Sequence, residues 1–190
     1  VYTLNTVYYN PAITYRPWRT ANGGRLIDTP YTSVHTSYRF PDTSMPNMKF
    51  NNGNDDNATV LPTNLSLDDR VFHVPQAGIP NITNGSYYDR YVFRSNGDVE
   101  KGVWVAGAWS YTPVASFSWP VVGPPATTIN RTIAEEKQNF ATWYSFYRTR
   151  TKTAKGGVSE AFVDLGENIR VGFNTIWNRN AFNIPVASDD

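Results

Sequence analysis

The sequence contains no cysteine, which excludes disulfide bonds and metal sites built on thiolates. Charge is also scarce: 17% of the 190 residues are charged, and 17 Lys+Arg against 16 Asp+Glu leave a net charge of +1. Binding to nucleic-acid phosphates needs a basic stripe, so we expect no nucleic-acid partner. No apolar run approaches the roughly 20 residues that cross a bilayer, so no membrane span is expected. The absence of a signal peptide at Val1 predicts a mature form or an internal segment.

Aromatic residues, in contrast, make up 15% of the chain, and residues 1–130 are rich in Tyr, Asn, Thr, Pro and Gly. This composition is typical of exposed, β-rich surfaces in exported proteins. The clearest β signal is a pair of segments, 87–94 and 102–109, on either side of Asn96-Gly97, a dipeptide that supplies the positive φ angles of a hairpin turn. Gly123-Pro124-Pro125 is predicted to end the β-rich region. Shorter strands are predicted at 31–40, 71–74 and 116–122.

One long helix is predicted from 133 to 165, because apolar residues recur at spacings of three or four from Phe140 onwards. Thr132 and Glu135 have the spacing of a capping box, which fixes the start of this helix. Its interior contains Gly156-Gly157, which costs about 1 kcal/mol per glycine relative to alanine. The pair indicates either close packing against a neighbouring backbone or a bend.

A strand is predicted at 169–176, where apolar residues alternate directly after the helix. Helix, tight turn and buried strand form an α/β pattern, and such a strand needs neighbours to pair with. The earlier hairpin could supply them, or they lie outside this sequence. The predicted fold class is α+β: a β-rich, loop-rich part followed by one long helix and a strand.

Catalytic and metal-binding patterns are weak throughout. Asp42–Pro46 resembles a D-x-S-x-S metal motif, but Pro46 replaces the second serine, so a stabilised turn is the preferred interpretation. Residues 51–57 cluster oxygen ligands without the spacing of a calcium loop, and a solvated loop is preferred. His35 and His73 lie apart, without a zinc-binding neighbour. No catalytic, cofactor-binding or metal-binding residue is therefore assigned.

Trp104, Trp109 and Trp119 are the candidate contact residues. Together with nearby tyrosines they could form a stacking platform for sugars or peptides on the surface of the hairpin region. The alternative is that alternate members of this set fill a small β core, and this alternative is preferred. Both interpretations remain open at the level of sequence.

Several stretches resemble the PilY/PilC-type type IV pilus tip adhesins and biogenesis factors. The most specific is EKQNFATWYSFYRTR (136–150), followed by KTAKGGVSEAF (152–162) and RVGFNTI (170–176). VYYNPAITYRPW (7–18) resembles a second characteristic stretch, and YYDRYVF (87–93) a weaker third. The matches occur in the expected order and extend over most of the chain.

This resemblance implies a parent domain of the von Willebrand factor A-like type. Residues 1–130 would be a Tyr/Asn/Thr-rich β insert, and residues 131–190 a partial α/β core that supplies the first helix and the second strand. The family's metal motif, D-x-S-x-S, has no matching position here. The resemblance therefore brings no functional site to this chain, and any divalent metal of the parent domain would have its ligands outside these residues.

The resemblance further implies a non-enzymatic role in pilus biogenesis, surface adhesion and twitching motility. Expected partners are pilins, minor pilins or the remainder of the domain, with a host or abiotic surface as a further partner. The expected location is extracellular, at the bacterial cell surface, at the pilus tip or associated with the outer membrane. Two alternatives stay open: a carbohydrate-binding module, and a structural subunit of an extracellular assembly.

Overall fold

The computed structural model describes residues 5, 7–20, 22–35, 62–77, 85–121, 123–163 and 165. Six strands and two α-helices lie within these residues, together with short 3₁₀ turns at Leu65–Leu67 and Gly85–Tyr87. This mixture agrees with the predicted α+β class. The elements are β1 (Arg70–Pro75), β2 (Tyr88–Phe93), β3 (Val99–Val105), β4 (Ala108–Pro113), β5 (Ser116–Val121), β6 (Thr127–Thr132), α1 (Ile133–Phe146) and α2 (Arg150–Phe162).

Strands β1 to β4 form an antiparallel sheet in sequence order. The predicted hairpin is confirmed as β2 and β3, which pair at Phe93 and Val99 across the turn. Gly97 has a φ of 101°, and the Asn96 side chain accepts a hydrogen bond from the Asp98 amide at 3.0 Å. Asn-Gly therefore supplies the turn for the predicted reason: glycine takes the positive φ at no steric cost.

The prediction of one continuous strand over 102–109 is wrong. The chain turns at Ala106-Gly107, so β3 ends at Val105 and β4 returns beside it. Ala106 and Gly107 have φ angles of 49° and 88°, the left-handed region that a two-residue hairpin turn requires. Ala-Gly lacks the asparagine that usually marks such turns, so the sequence pattern concealed a second hairpin.

Strand β5 confirms the strand predicted at 116–122 as far as Val121. However, Gly123–Pro125 does not end the β region, because β6 follows it and pairs antiparallel with β5 from Val121–Thr127 to Ser116–Thr132. The prediction of a strand at 31–40 also fails in its described part. Residues 31–35 contain a turn and one isolated bridge, between Val34 and Thr63.

The predicted single helix is two helices. The capping box is confirmed: the Thr132 hydroxyl accepts from the Glu135 amide and the Glu135 carboxylate accepts from the Thr132 amide. The chain leaves the helical conformation at Tyr147, and the Thr149 side chain caps the second helix by accepting from the Lys152 amide. The apolar stripe stops with the first helix, since Val158 is 56% exposed.

A tertiary contact ends α1 where the periodicity continues. The Trp18 indole donates to the carbonyl of Phe146, the last residue of α1, at 2.8 Å. A carbonyl bonded from outside no longer needs a helical partner, so the chain can turn. Gly156 of α2 then lies against the rings of Trp18 and Tyr147, whereas Gly157 is open. The glycine pair therefore marks close packing, but against side chains, and the bend lies earlier.

One hydrophobic core joins the sheets, α1 and the N-terminal segment, and it includes residues on both sides of position 130. The division at 130 therefore stays a prediction. The predicted strand at 169–176, the Asp42–Pro46 turn and the loop 51–57 lie outside the described residues. The buried core members are Tyr9, Val34, Leu65, Phe72, Phe93, Val99, Phe117, Trp119, Phe140 and Ala141.

Lys152 is fully buried between α1 and α2, where its ammonium group donates to the carbonyls of His35 at 3.1 Å and Tyr144 at 3.4 Å. Burial, followed by the positive charges of Arg148 and Lys155, lowers the pKa of Lys152 from 10.5 to about 7. Desolvation disfavours the charged form of the amine. Between pH 7 and 10.5 the folded chain therefore releases a proton that the unfolded chain keeps. Lys152 thus couples folding to pH.

We expect Lys152→Met to change the pH dependence of stability. Between pH 7 and 10.5 the unfolded wild type binds more protons at this residue, so its free energy of unfolding rises with pH by up to about 1.4 kcal/mol per unit. The variant lacks this rise. Urea unfolding of both proteins across this window measures the difference, and a difference that stays constant with pH would contradict the assignment.

Candidate functional site

The three predicted contact residues do not lie together. Trp119 is 5% exposed and belongs to the core, where its indole donates to the Glu136 carboxylate at 3.0 Å. Trp104 and Trp109 face each other across β3 and β4, with ring centroids 5.3 Å apart and planes at 73°. Trp104 is 38% exposed. The preferred core interpretation thus describes Trp119, whereas a binding role for the other two stays a prediction.

The cation Arg90 lies on the same face of the sheet as this tryptophan pair, close to Trp109. Arg90 of β2 lies with its guanidinium carbon 5.6 Å from the Trp109 ring and 6.0 Å from the Tyr111 ring. Gly102 of β3 makes the arrangement possible, since a Cβ there would lie 2.7 Å from the Tyr111 ring. The missing side chain leaves space that the rings of Tyr111 and Trp109 occupy close to the β3 backbone.

The neighbouring cation on this face is neutralised. Arg94 pairs with Asp69 at 2.8 Å and with Glu100 at 2.6 Å, and its guanidinium also lies 4.8 Å from the Tyr111 ring. The hydrogen bond from Arg94, followed by one from the Ser95 amide, lowers the pKa of Asp69. Both ion pairs are partly exposed, so their contribution to stability is small. The two ion pairs hold Arg94 beside the Tyr111 ring, at the edge of the aromatic cluster that Trp104, Trp109 and Tyr111 form.

A buried ionic network centred on Glu136 connects α1 to β5, β6 and the N-terminal segment, and it was not predicted from the sequence. Glu136 is fully buried, accepts hydrogen bonds from Tyr9 and Trp119, and pairs with Arg131 at 2.9 Å. Burial, and then the charge of Glu136, raise the pKa of Tyr9 well above its ordinary value. Glu136 precedes Phe140 by four residues and therefore lies on the same face of α1 as the apolar stripe. A carboxylate on this otherwise apolar face was the sequence signal that could have revealed the network.

This network joins the two stretches that carry the family resemblance. Residues 7–18 pack along α1, which contains most of 136–150, and Phe93 of the third stretch packs edge-on against Phe140 with centroids 5.6 Å apart. The resemblance is therefore carried by residues that touch in the folded chain. The hydrogen bonds between the first two stretches include Tyr9–Glu136, Asn139–Tyr9, Tyr15–Asn139, Asn139–Ile13, Trp143–Val7, Trp18–Phe146 and Tyr147–Arg16.

The chemistry available in the described residues is that of contact rather than of metal binding. Among the described residues, no three His, Asp or Glu side chains come together as metal ligands. His73 packs against the rings of Tyr88 and Trp109. Burial, and then Arg90, lower the pKa of His73. In the described part of the chain, no helix has the length and apolar character needed to traverse a bilayer.

Comparison with known proteins gives curated relatives but neither a family model nor a solved structure that matches. The chain is 31% identical over 105 residues to the type IV pilus biogenesis factor PilY1 of Pseudomonas aeruginosa strain PAO1, covering 55% of this chain and 9% of that protein. It is 27% identical over 143 residues to PilY1 of strain UCBPP-PA14, covering 65% and 12%.

A shorter match, 44% identical over 43 residues, joins the chain to PilY1 of strain PAK and covers 23% of this chain and 4% of that protein. The matches thus span between 4% and 12% of the length of these relatives. Three matches to one kind of protein agree with the family resemblance. The chain is therefore related in sequence to type IV pilus biogenesis factors of the PilY1 kind.

Proposed function

We propose that this chain is a non-enzymatic segment of a type IV pilus-associated adhesin or assembly factor. The observation that carries the proposal is the sequence relation to proteins named type IV pilus biogenesis factors. The packing of the resembled stretches supports it, because the contacts between 7–18 and 136–150 make them one folded unit.

The finer parts of the proposal concern the whole protein. It acts in pilus biogenesis, surface adhesion and twitching motility, at the bacterial surface, the pilus tip or the outer membrane. Its partners are pilins or minor pilins and the remainder of its own domain. That domain is of the von Willebrand factor A-like type, with residues 1–130 as an insert and 131–190 as part of its core. Any divalent metal is held by residues outside this chain.

A gene deletion with complementation tests the proposal. We expect the deletion strain to lose surface pili and twitching, and the wild-type gene to restore both. A gene carrying Glu136→Gln, which breaks the buried network, should restore neither, whereas Glu135→Gln on the exposed side of the same helix should restore both. Sheared surface pilin and twitching-zone diameter are the measurements. Normal pili in the deletion strain, together with no pilin in pull-downs of the intact protein, would overturn it.

A further inference from the structure

The β3–β4 hairpin tip, defined as residues 103–109, has an unusual composition for an exposed segment. Its sequence is VWVAGAW, and no Asp, Glu, Lys, Arg or His occurs anywhere from residue 102 to residue 130. Val105 is 57% exposed and Trp104 38%, and the turn residues between the strands are also exposed. Contiguous exposed apolar surface of this kind marks an interaction site.

The tip extends past the last bridged pair of its neighbour β2, with the 3₁₀ turn Gly85–Tyr87 beside the end of β3. Pairing between β2 and β3 stops at Arg90–Gly102, whereas pairing between β3 and β4 continues to Val105–Ala108. The hairpin thus runs three residues past the last partner on β2, which is about 10 Å at about 3.3 Å per residue. The exposed residues at the end of this hairpin, 104–108, can enter a bilayer interface without moving the rest of the sheet.

Residues along the tip are ordered by polarity. The apex from Val105 to Ala108 is aliphatic, the tryptophan pair lies behind it, and Arg90 lies behind Trp109 at 5.6 Å. Arg90 forms no ion pair with another described residue, while its neighbours on the sheet, Arg94 and Lys101, are each paired with carboxylates. From the apex of the hairpin towards the sheet, the zones are therefore apolar, aromatic and cationic.

We infer that the hairpin tip inserts into the interface of a lipid bilayer. A bilayer presents the same three zones in order: acyl chains, the interfacial level that tryptophan prefers, and anionic phosphates that attract arginine. Interfacial elements bury their apolar face about 5–10 Å deep, and the exposed apex with Val105 is the part of the hairpin that enters to this depth. The tip lies on the surface of the membrane and does not span it.

A sugar platform fits the geometry less well. Sugars stack on open ring faces, whereas the two indoles meet edge to face at 73° and so cover part of each other. The aliphatic apex would also have no role in binding a sugar. A bilayer uses both features, because it needs apolar area and amphipathic rings rather than a flat platform.

Vesicle flotation tests the inference with the 190-residue chain. The probes are vesicles of phosphatidylcholine, alone and with added phosphatidylglycerol. We expect the wild type to float with the vesicles, more strongly with phosphatidylglycerol, and Val105→Asp and Trp104→Ala to weaken binding about tenfold or more. Val158→Asp is the matched control, since Val158 is 56% exposed on α2 against 57% for Val105, and it should bind as the wild type does.

The remaining outcomes overturn the inference. Wild type that stays in the lipid-free fraction, or Val105→Asp that binds as wild type does, excludes insertion of the tip. Equal losses in Val105→Asp and Val158→Asp show that membrane contact lies elsewhere. Binding on a glycan array that is lost in Trp104→Ala, without vesicle binding, makes the tip a sugar site. Circular dichroism checks that each variant is folded, and Trp104→Ala provides a second measurement without an added charge.

Discussion

Replacing Glu136 by glutamine is expected to lower the free energy of unfolding by about 3–5 kcal/mol, the range for breaking a buried ion pair from one side. Arg131 is 7% exposed and pairs with Glu136 at 2.9 Å. Its guanidinium would remain buried with its charge uncompensated. Tyr9 and Trp119 would also lose a charged acceptor, which strengthens hydrogen bonds relative to a neutral one. Urea unfolding followed by tryptophan fluorescence measures the loss.

Two matched variants sharpen this test. Glu135→Gln changes the neighbouring, exposed carboxylate and keeps a side chain that suits a capping box, so its effect should be small. The double variant Arg131→Met with Glu136→Leu removes both charges and should recover part of the stability lost in Glu136→Gln. A single Glu136→Gln variant as stable as Glu135→Gln would contradict a structural role for the network.

Alanine at the two adjacent glycines of α2 is expected to have opposite effects. A Cβ at Gly156 would lie 2.8 Å from the Tyr147 ring and 3.1 Å from the Trp18 indole nitrogen. The indole is held by its hydrogen bond to Phe146, so it cannot give way freely. We expect Gly156→Ala to destabilise the chain by about 1–3 kcal/mol through overpacking, which outweighs the helix propensity gained.

Gly157→Ala is the control at the next residue, because no described residue lies within 4 Å of a Cβ there. Alanine gains about 1 kcal/mol of helix propensity relative to glycine without a steric cost, so this variant should be more stable than the wild type. Thermal unfolding of the two variants gives the comparison. Stabilisation by both substitutions would show that α2 does not pack against Trp18 and Tyr147 as described.

Local chemistry accounts for the elements that were predicted correctly. Asn96-Gly97 supplies its own turn geometry, and Thr132 with Glu135 satisfies the free amides of α1 without help from distant residues. Both depend on residues within a few positions of each other. Such features can be predicted from sequence because their energies are local.

The errors have a common cause in distant contacts. Periodicity extended one helix through Tyr147, where the Trp18 indole bonds the last carbonyl of α1 and Thr149 caps a new helix. The Ala106-Gly107 turn was missed because only the pairing of β4 with β3 makes its positive φ angles favourable. In each case a partner far along the chain, or the completed sheet, decided between conformations of similar local energy.

The candidate contact residues likewise combine what the sequence predicts with what only tertiary structure decides. The sequence singled out Trp104, Trp109 and Trp119, but tryptophan is suited both to cores and to surfaces, and residue type alone does not separate the two. Burial separates them: Trp119 is in the core and donates to Glu136, whereas Trp104 is 38% exposed. Arg90 was not noticed, since an arginine in a strand has no special pattern until the sheet places it beneath Trp109.

The sequence by itself determined the α+β class, the first hairpin, the start of α1 and the stretches that relate this chain to pilus biogenesis factors. These depend on turn chemistry, capping and residue order, which act over short distances. Tertiary structure alone decided where the helix breaks, that Glu136 is buried, and that an uncharged hairpin tip is exposed with its tryptophans behind an aliphatic apex. The reason is physical: burial and exposure depend on which distant segments pack together, and no single stretch contains that information.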